Sequence, residues 1–147
     1  MSHPLSEALD HALDNQQDGT LEVAGPNASA TVDVTASGPV GVRVRSIAVT
    51  SPRGDVQDTA NALPHALRAL LEPLQPVEVA PTLRGAVLRT DPTAIEDDEF
   101  FEVELRDDTV RIDRFRREST GRRPVEFDLT RKQLRRIVDG LTTPEEA

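Results

Sequence analysis

The chain contains no cysteine, tryptophan or tyrosine, a single lysine and only four phenylalanines. Without cysteine there is no disulfide, no thiol nucleophile and no thiolate metal site. With so few aromatics, the core must be built from Val, Leu, Ile and Ala. No apolar run approaches the roughly 18 residues of a membrane span, so no membrane partner is expected. The first residues lack a basic segment followed by an apolar run. A secretory leader is therefore not expected, and a cytoplasmic setting is. Histidine is scarce as well. His3 and His11 stand too far apart on one short helix to share a metal, and His65 has no carboxylate at i+3 or i+4. All three read as surface or capping residues. Glycine spacing yields no phosphate loop, dinucleotide fingerprint or nucleophile elbow. Neither a cofactor nor a metal is expected. Arg53-Gly54-Asp55 reads as a turn before a helix.

Charge is what the chain has in abundance. Its 26 acidic and 17 basic residues give a net charge of -9, which disfavours unspecific attraction to nucleic acid. Sixteen of the basic residues are Arg, a bias that fits a GC-rich genome better than salt adaptation. The distribution is uneven: Arg106 to Arg136 carries eleven basic and six acidic side chains, and the remainder six basic and twenty acidic. That asymmetry is the compositional feature that asks for a partner. Asp91 to Glu99 is acidic but lacks the central Gly and spaced carboxylates of a calcium loop, so it reads as a solvated loop.

The best-defined stretch runs from Glu99 to Leu141. Phe101, Val103 and Leu105 alternate with charged residues, and Val110 and Ile112 resume the alternation after Asp107-Asp108. Period two marks a strand with one apolar face. A two-residue Asp-Asp loop would set Leu105 opposite Val110, Val103 opposite Ile112, and Glu104 opposite Arg111 as an ion pair. Pro124 to Phe127 reads as a short edge strand. Thr130 and Gln133 have capping-box spacing, Leu129 and Leu134 staple spacing. Leu134, Ile137, Val138 and Leu141 then form one helical face, with Gly140 as its stop.

Upstream, Pro4 opens a short helix with Leu5, Leu9, Ala12 and Leu13 along one side. Strands follow around Leu21–Val23, Ala30–Val34 and Val40–Val49, the last with a one-residue phase slip after Val44 that a β-bulge would produce. Val56 to Leu74 is helical in period. Pro64 is expected to break it near Leu63 and open a second helix to about Glu72. Val77–Val79 reads as an edge strand and Leu83–Leu88 as another.

Together these elements predict an α+β fold over residues 1–147 as one domain, with a disordered tail at 142–147. The expected architecture is a mostly antiparallel sheet of six to eight strands, with two or three helices on one face. In element order alone the chain resembles the small acidic secretion chaperones. That resemblance implies a dimeric α+β protein that wraps an extended partner.

The candidate site is the basic segment. Arg114, Arg116, Arg117, Arg122 and Arg123 flank Ser119-Thr120-Gly121, and Arg131 with Lys132 opens the last helix. A helix start beside arginines can hold an anion. The plainer reading pairs these arginines with Glu102, Glu104, Asp113, Glu118, Glu126 and Asp128 on the same sheet. Phe115 is expected beside Phe100 as an exposed aromatic pair, more often a packing surface than an RNA-stacking platform. The leading expectation is a non-enzymatic protein-interaction module, adaptor-like or chaperone-like, that pairs with itself or another protein. An anion or nucleic-acid binder over 114–136 is the alternative. An enzyme with carboxylates assembled from distant loops is the third reading.

Overall fold

The computed structural model describes residues 4–15, 18–90 and 98–142. Among them, three α-helices lie against one face of a single nine-stranded antiparallel sheet. The chain runs α1 (Pro4–Asn15), β1 (Gly19–Ala24), β2 (Ser29–Ser37), β3 (Gly41–Thr50) and α2 (Val56–Ala66). A 3-10 turn (Arg68–Leu70), β4 (Leu74–Ala80) and β5 (Gly85–Thr90) follow. It ends with β6 (Glu99–Arg106), β7 (Thr109–Glu118), β8 (Gly121–Val125), β9 (Phe127–Thr130) and α3 (Arg131–Leu141). The sheet has more strands than the six to eight expected.

The strand order is β1-β2-β3-β7-β6-β5-β4, with β8 and β9 off that path. Strand β3 is shared. Its Ser46–Thr50 half pairs with β7, and its Gly41–Val44 half pairs with β9. Strand β7 is shared in the same way, turning from β3 to β8 at Arg114. The sheet therefore forks, and β8–β9 fills the gap. The divergence lies at the phase slip, where Asp33 pairs with Ser46 and Val34 with Val44, leaving Arg45 as the bulged residue. Glu126, between β8 and β9, sits at this crotch within 4.0 Å of Arg43 and 3.9 Å of Arg45. The expected single strand at Pro124–Phe127 is thus two strands that serve different neighbours. Pro124 is the fourth residue of β8, tolerated because β8 pairs on one side only.

The β6–β7 hairpin has the expected register, with Asp107 in the left-handed conformation at φ 53°. One detail differs. Glu104 does face Arg111, but Arg111 Nε donates to Asp113 at 2.9 Å and Glu104 pairs with Arg106. A neighbour two residues along the same strand also shares its face, and here it wins the guanidinium.

Alternate residues of the strands point at the helices. Val32, Val44, Ile47, Val49, Leu88, Val103, Leu105, Val110 and Ile112 are buried there, against Leu9 and Leu13 of α1, Leu63 of α2, and Ile137 and Leu141 of α3. They form one contiguous core. Such burial stabilises by about 1.5–3 kcal/mol per large side chain, and it sets which face is left open. Helix α1 thus docks within its own chain, on β1, β2 and α3.

Two helical expectations need correction. Helix α2 runs unbroken from Val56 to Ala66 with Pro64 inside it, and Leu74 begins β4. Proline forfeits one hydrogen bond there, but Val56, Ala60 and Leu63 are buried, and Leu67 N–H closes on the Leu63 carbonyl at 2.9 Å. Gly140 is not a stop, since α3 continues to Leu141. A Cβ at Gly140 would lie 2.4 Å from the Ala66 carbonyl oxygen, so glycine lets α3 approach the end of α2. The capping box of Thr130 and Gln133 is present in both directions, at 2.9 and 2.8 Å. At smaller scale, Val40 precedes β3 and is exposed, and Leu83 lies in a 3-10 turn ahead of β5. The expected acidic loop falls outside the described residues over 91–97, as does the tail over 143–147.

Candidate functional site

The basic segment folds as β7, β8 and the first turn of α3, and the pleat splits its cations between surfaces. Residues paired across strands share a face. Glu99, Phe101, Arg114, Arg116 and Arg123 thus belong to the helix side, and Phe100, Glu102, Phe115, Arg117, Arg122 and Pro124 to the open side. Arg131 and Lys132 are on α3. The seven expected cations are not brought together.

Most of them meet carboxylates. Arg114 donates to Glu99 at 2.9 Å and to Glu72 at 3.2 Å, with only 12% of its side chain exposed. Arg116 pairs with the other oxygen of Glu99. Arg122 makes a two-pronged contact with Glu102 at 2.7 and 3.1 Å, and Arg89 reaches the same carboxylate at 2.8 Å. Arg123 lies 3.4 Å from Glu118. Arg131 donates to Asp14 of α1 at 2.7 Å and to the Gly38 carbonyl at 3.1 Å. Arg117 and the exposed Lys132 make no ion pair among the described residues.

The electrostatics follow these contacts. Hydrogen bonding from Arg114 holds the Glu99 carboxyl below its ordinary range, against its burial and with help from Arg116. Burial pushes Glu102 upward, but hydrogen bonds from Arg122 and Arg89 outweigh it and leave that carboxyl lowered too. Both are therefore ionised at neutral pH. Asp128 is lowered by its hydrogen bond from Arg43.

On the open side the aromatics and arginines form a stack. Phe100 and Phe115 have ring centroids 5.9 Å apart. The Arg117 guanidinium lies 5.3 Å from the Phe100 ring, and that of Arg122 lies 4.0 Å from Phe115. Such contacts contribute about 0.5–1 kcal/mol each at exposed sites. The expected pair exists, but it is not bare: Phe100 is 3% exposed and Phe115 half-buried. On the helix side, Phe101 meets Phe127 edge-on at 5.2 Å, with Arg114 4.5 Å above Phe101. A cleft of about 440 Å³ opens there, lined by Glu72, Glu99, Arg114, Glu126, Asp128 and Gln133 among others.

Glu72 and Asp14 were not legible as partners, because each lies far along the chain from its arginine. The packing of Arg53 was likewise not legible in the spacing of its neighbours. Its side chain folds back to the Asp108 and Val49 carbonyls, and burial lowers its pKa. Asp55 caps α2, so Arg53-Gly54-Asp55 leads into a helix as expected, as irregular chain rather than a turn. Among the described residues no group of three or more His, Asp or Glu is placed to hold a metal. No described helix is long and apolar enough to cross a membrane. Comparison with family models, with curated proteins and with solved structures found no match to this chain.

Proposed function

We propose that this protein is a non-enzymatic protein-interaction module that acts as a cytoplasmic homodimer, with the open face of its sheet as the contact surface. The observation that carries this reading is the Arg117–Phe100–Phe115–Arg122 stack, on the sheet face opposite the helices. Aromatic and arginine side chains are the residues that anchor protein interfaces. Around the stack, both signs of charge stand in rows: Glu102, Glu104 and Asp113 beside Arg89 and Arg111. These charges are paired within the sheet, and a two-fold axis through the face can set acidic positions of one copy against basic positions of the other so that the pairs extend across the contact.

Anion or nucleic-acid capture is the weaker reading. Arg114, Arg116, Arg122, Arg123 and Arg131 already face carboxylates. An anion would have to displace them.

Light scattering of the pure protein across a salt series tests the proposal. The expected result is a dimer at low salt that loosens as salt rises, and a Phe115→Glu variant that stays folded but monomeric. A wild-type monomer at every salt and high concentration would overturn it.

A further inference from the structure

Among the described residues four strands, β1, β4, β8 and β9, pair on one side only, and they differ; β9 is just four residues long, too short to take on much of a further strand. Strand β4 carries Pro76 and a register break between Pro76 and Glu78. Strand β8 carries Pro124 and two arginines. Prolines, bulges and exposed cations are the devices by which natural sheets discourage strand addition. Strand β1 has none of them. Its six residues pair with β2 in unbroken register from Gly19↔Val34 to Ala24↔Ser29, and it has no proline, lysine or arginine. All but Leu21 and Val23 are exposed. In an antiparallel ladder every second residue points its N–H and C=O away from the partner strand. Strand β1 therefore offers an ordered row of donors and acceptors.

The segment that builds this edge carries charge of one sign. The first 42 residues contain Glu7, Asp10, Asp14, Asp18, Glu22 and Asp33, and no Lys or Arg. Asp10 and Asp14 are engaged by Arg135 and Arg131 of α3. Glu22 lies beside Thr31, and Asp33 beside Thr20, so both carboxylates project from the open face at this edge. Neither has an ion pair among the described residues, and Glu7 of α1 is exposed as well.

We propose that β1 is a docking edge for an extended basic peptide segment, which adds as a tenth strand and sets its Lys or Arg side chains against Glu22 and Asp33. Main-chain hydrogen bonds would supply affinity, and the carboxylates would select for positive charge. A second copy of this chain fits the edge less well, because β1 against β1 brings Glu22 toward its own kind. The inference does not rest on the dimer, whose contact surface lies across β6–β8.

The test uses the full chain and a synthetic heptapeptide alternating lysine and valine. Calorimetry is expected to show binding that weakens with salt, with at least tenfold loss in Glu22→Lys/Asp33→Lys. A heptapeptide N-methylated at alternate residues, and one with glutamate for lysine, are expected not to bind. Hydrogen exchange is expected to show new protection in 19–24. Absence of binding, indifference to the charge reversal or N-methylation, or protection elsewhere would each overturn the proposal. Light scattering on the same variant separates this from the dimer reading, since Glu22→Lys/Asp33→Lys should leave self-association unchanged.

Discussion

Strands β6 to β9 carry similar constellations on their two faces, with different consequences. Toward the helices, Phe101 and Phe127 meet under Arg114, whose guanidinium is shared by Glu99 and Glu72. Toward the open side, Phe100 and Phe115 meet between Arg122, bound to Glu102, and Arg117, which has no ion pair among the described residues. On the inner face the cation holds the fold's own elements together, because Glu72 lies beyond α2 and Glu99 opens β6. On the outer face one cation is locked to the sheet and one is left over. The same residue types therefore serve cohesion under the helices, while on the outer face Phe100 is buried and it is Arg117, Arg122 and the half-buried Phe115 that reach the surface.

The largest expected effect comes from breaking the inner constellation. Arg114→Ala leaves Glu99, 13% exposed, with Arg116 alone and Glu72, 28% exposed, with no cation among the described residues. Breaking such a pair costs about 3 kcal/mol, or a fall in Tm of roughly 10 °C for a chain of this size. Thermal unfolding checks it. A fall no larger than that of an exposed arginine would mean the two faces do not differ.

Acid should separate the carboxylates from the rest. Glu99 and Glu102 are both lowered in the folded state, so their stabilisation is complete above the ordinary glutamate value of 4.5 and is lost as pH falls below it. Denaturant midpoints measured from pH 7 down to 3 are expected to drop steeply below that value. Glu99→Gln/Glu102→Gln should start lower and fall less. Parallel curves would show that these two residues are not the linked groups.

Much of this arrangement was legible, and what was not has a physical reason. The β6–β7 register and the Thr130–Gln133 cap depend on residues a few positions apart, where spacing alone fixes geometry. The bulge after Val44 showed itself as a change of phase. The fork did not, because nothing in the spacing around Glu126 says that Val125 and Phe127 serve different strands. Gly140 looked like a helix stop because its reason, the Ala66 carbonyl, lies on another helix. Within the candidate site, the Phe100–Phe115 pair followed from alternation. The partners of Arg114 did not, since Glu72 is 42 residues away.

On the outer face, Arg122→Ala should cost less than its inner counterpart. Glu102 keeps Arg89 at 2.8 Å and so is not stranded. Loss of one two-pronged contact and one ring contact at a half-exposed side chain is expected to cost about 1 kcal/mol. A double-mutant cycle with Glu102→Gln should recover most of that as coupling. Near-zero coupling would move Arg122 from the sheet's own bonding to the free surface.

Arg117 isolates the question the two faces pose. It binds no carboxylate among the described residues and touches Phe100 from 5.3 Å. Removing it should cost folding stability no more than the ring contact itself, at most about 1 kcal/mol. If the open face is the dimer contact, Arg117→Ala should still weaken self-association about tenfold, because an arginine beside an aromatic pair loses its role only when a partner is present. Sedimentation of Arg117→Ala and Lys132→Ala in parallel gives the comparison its control, since Lys132 is equally unpaired but lies on α3. Equal, negligible effects would place the contact surface elsewhere and leave the outer stack as a cover for Phe100. Selective loss in Arg117→Ala would mean that the cation the sheet does not use is the one its partner does.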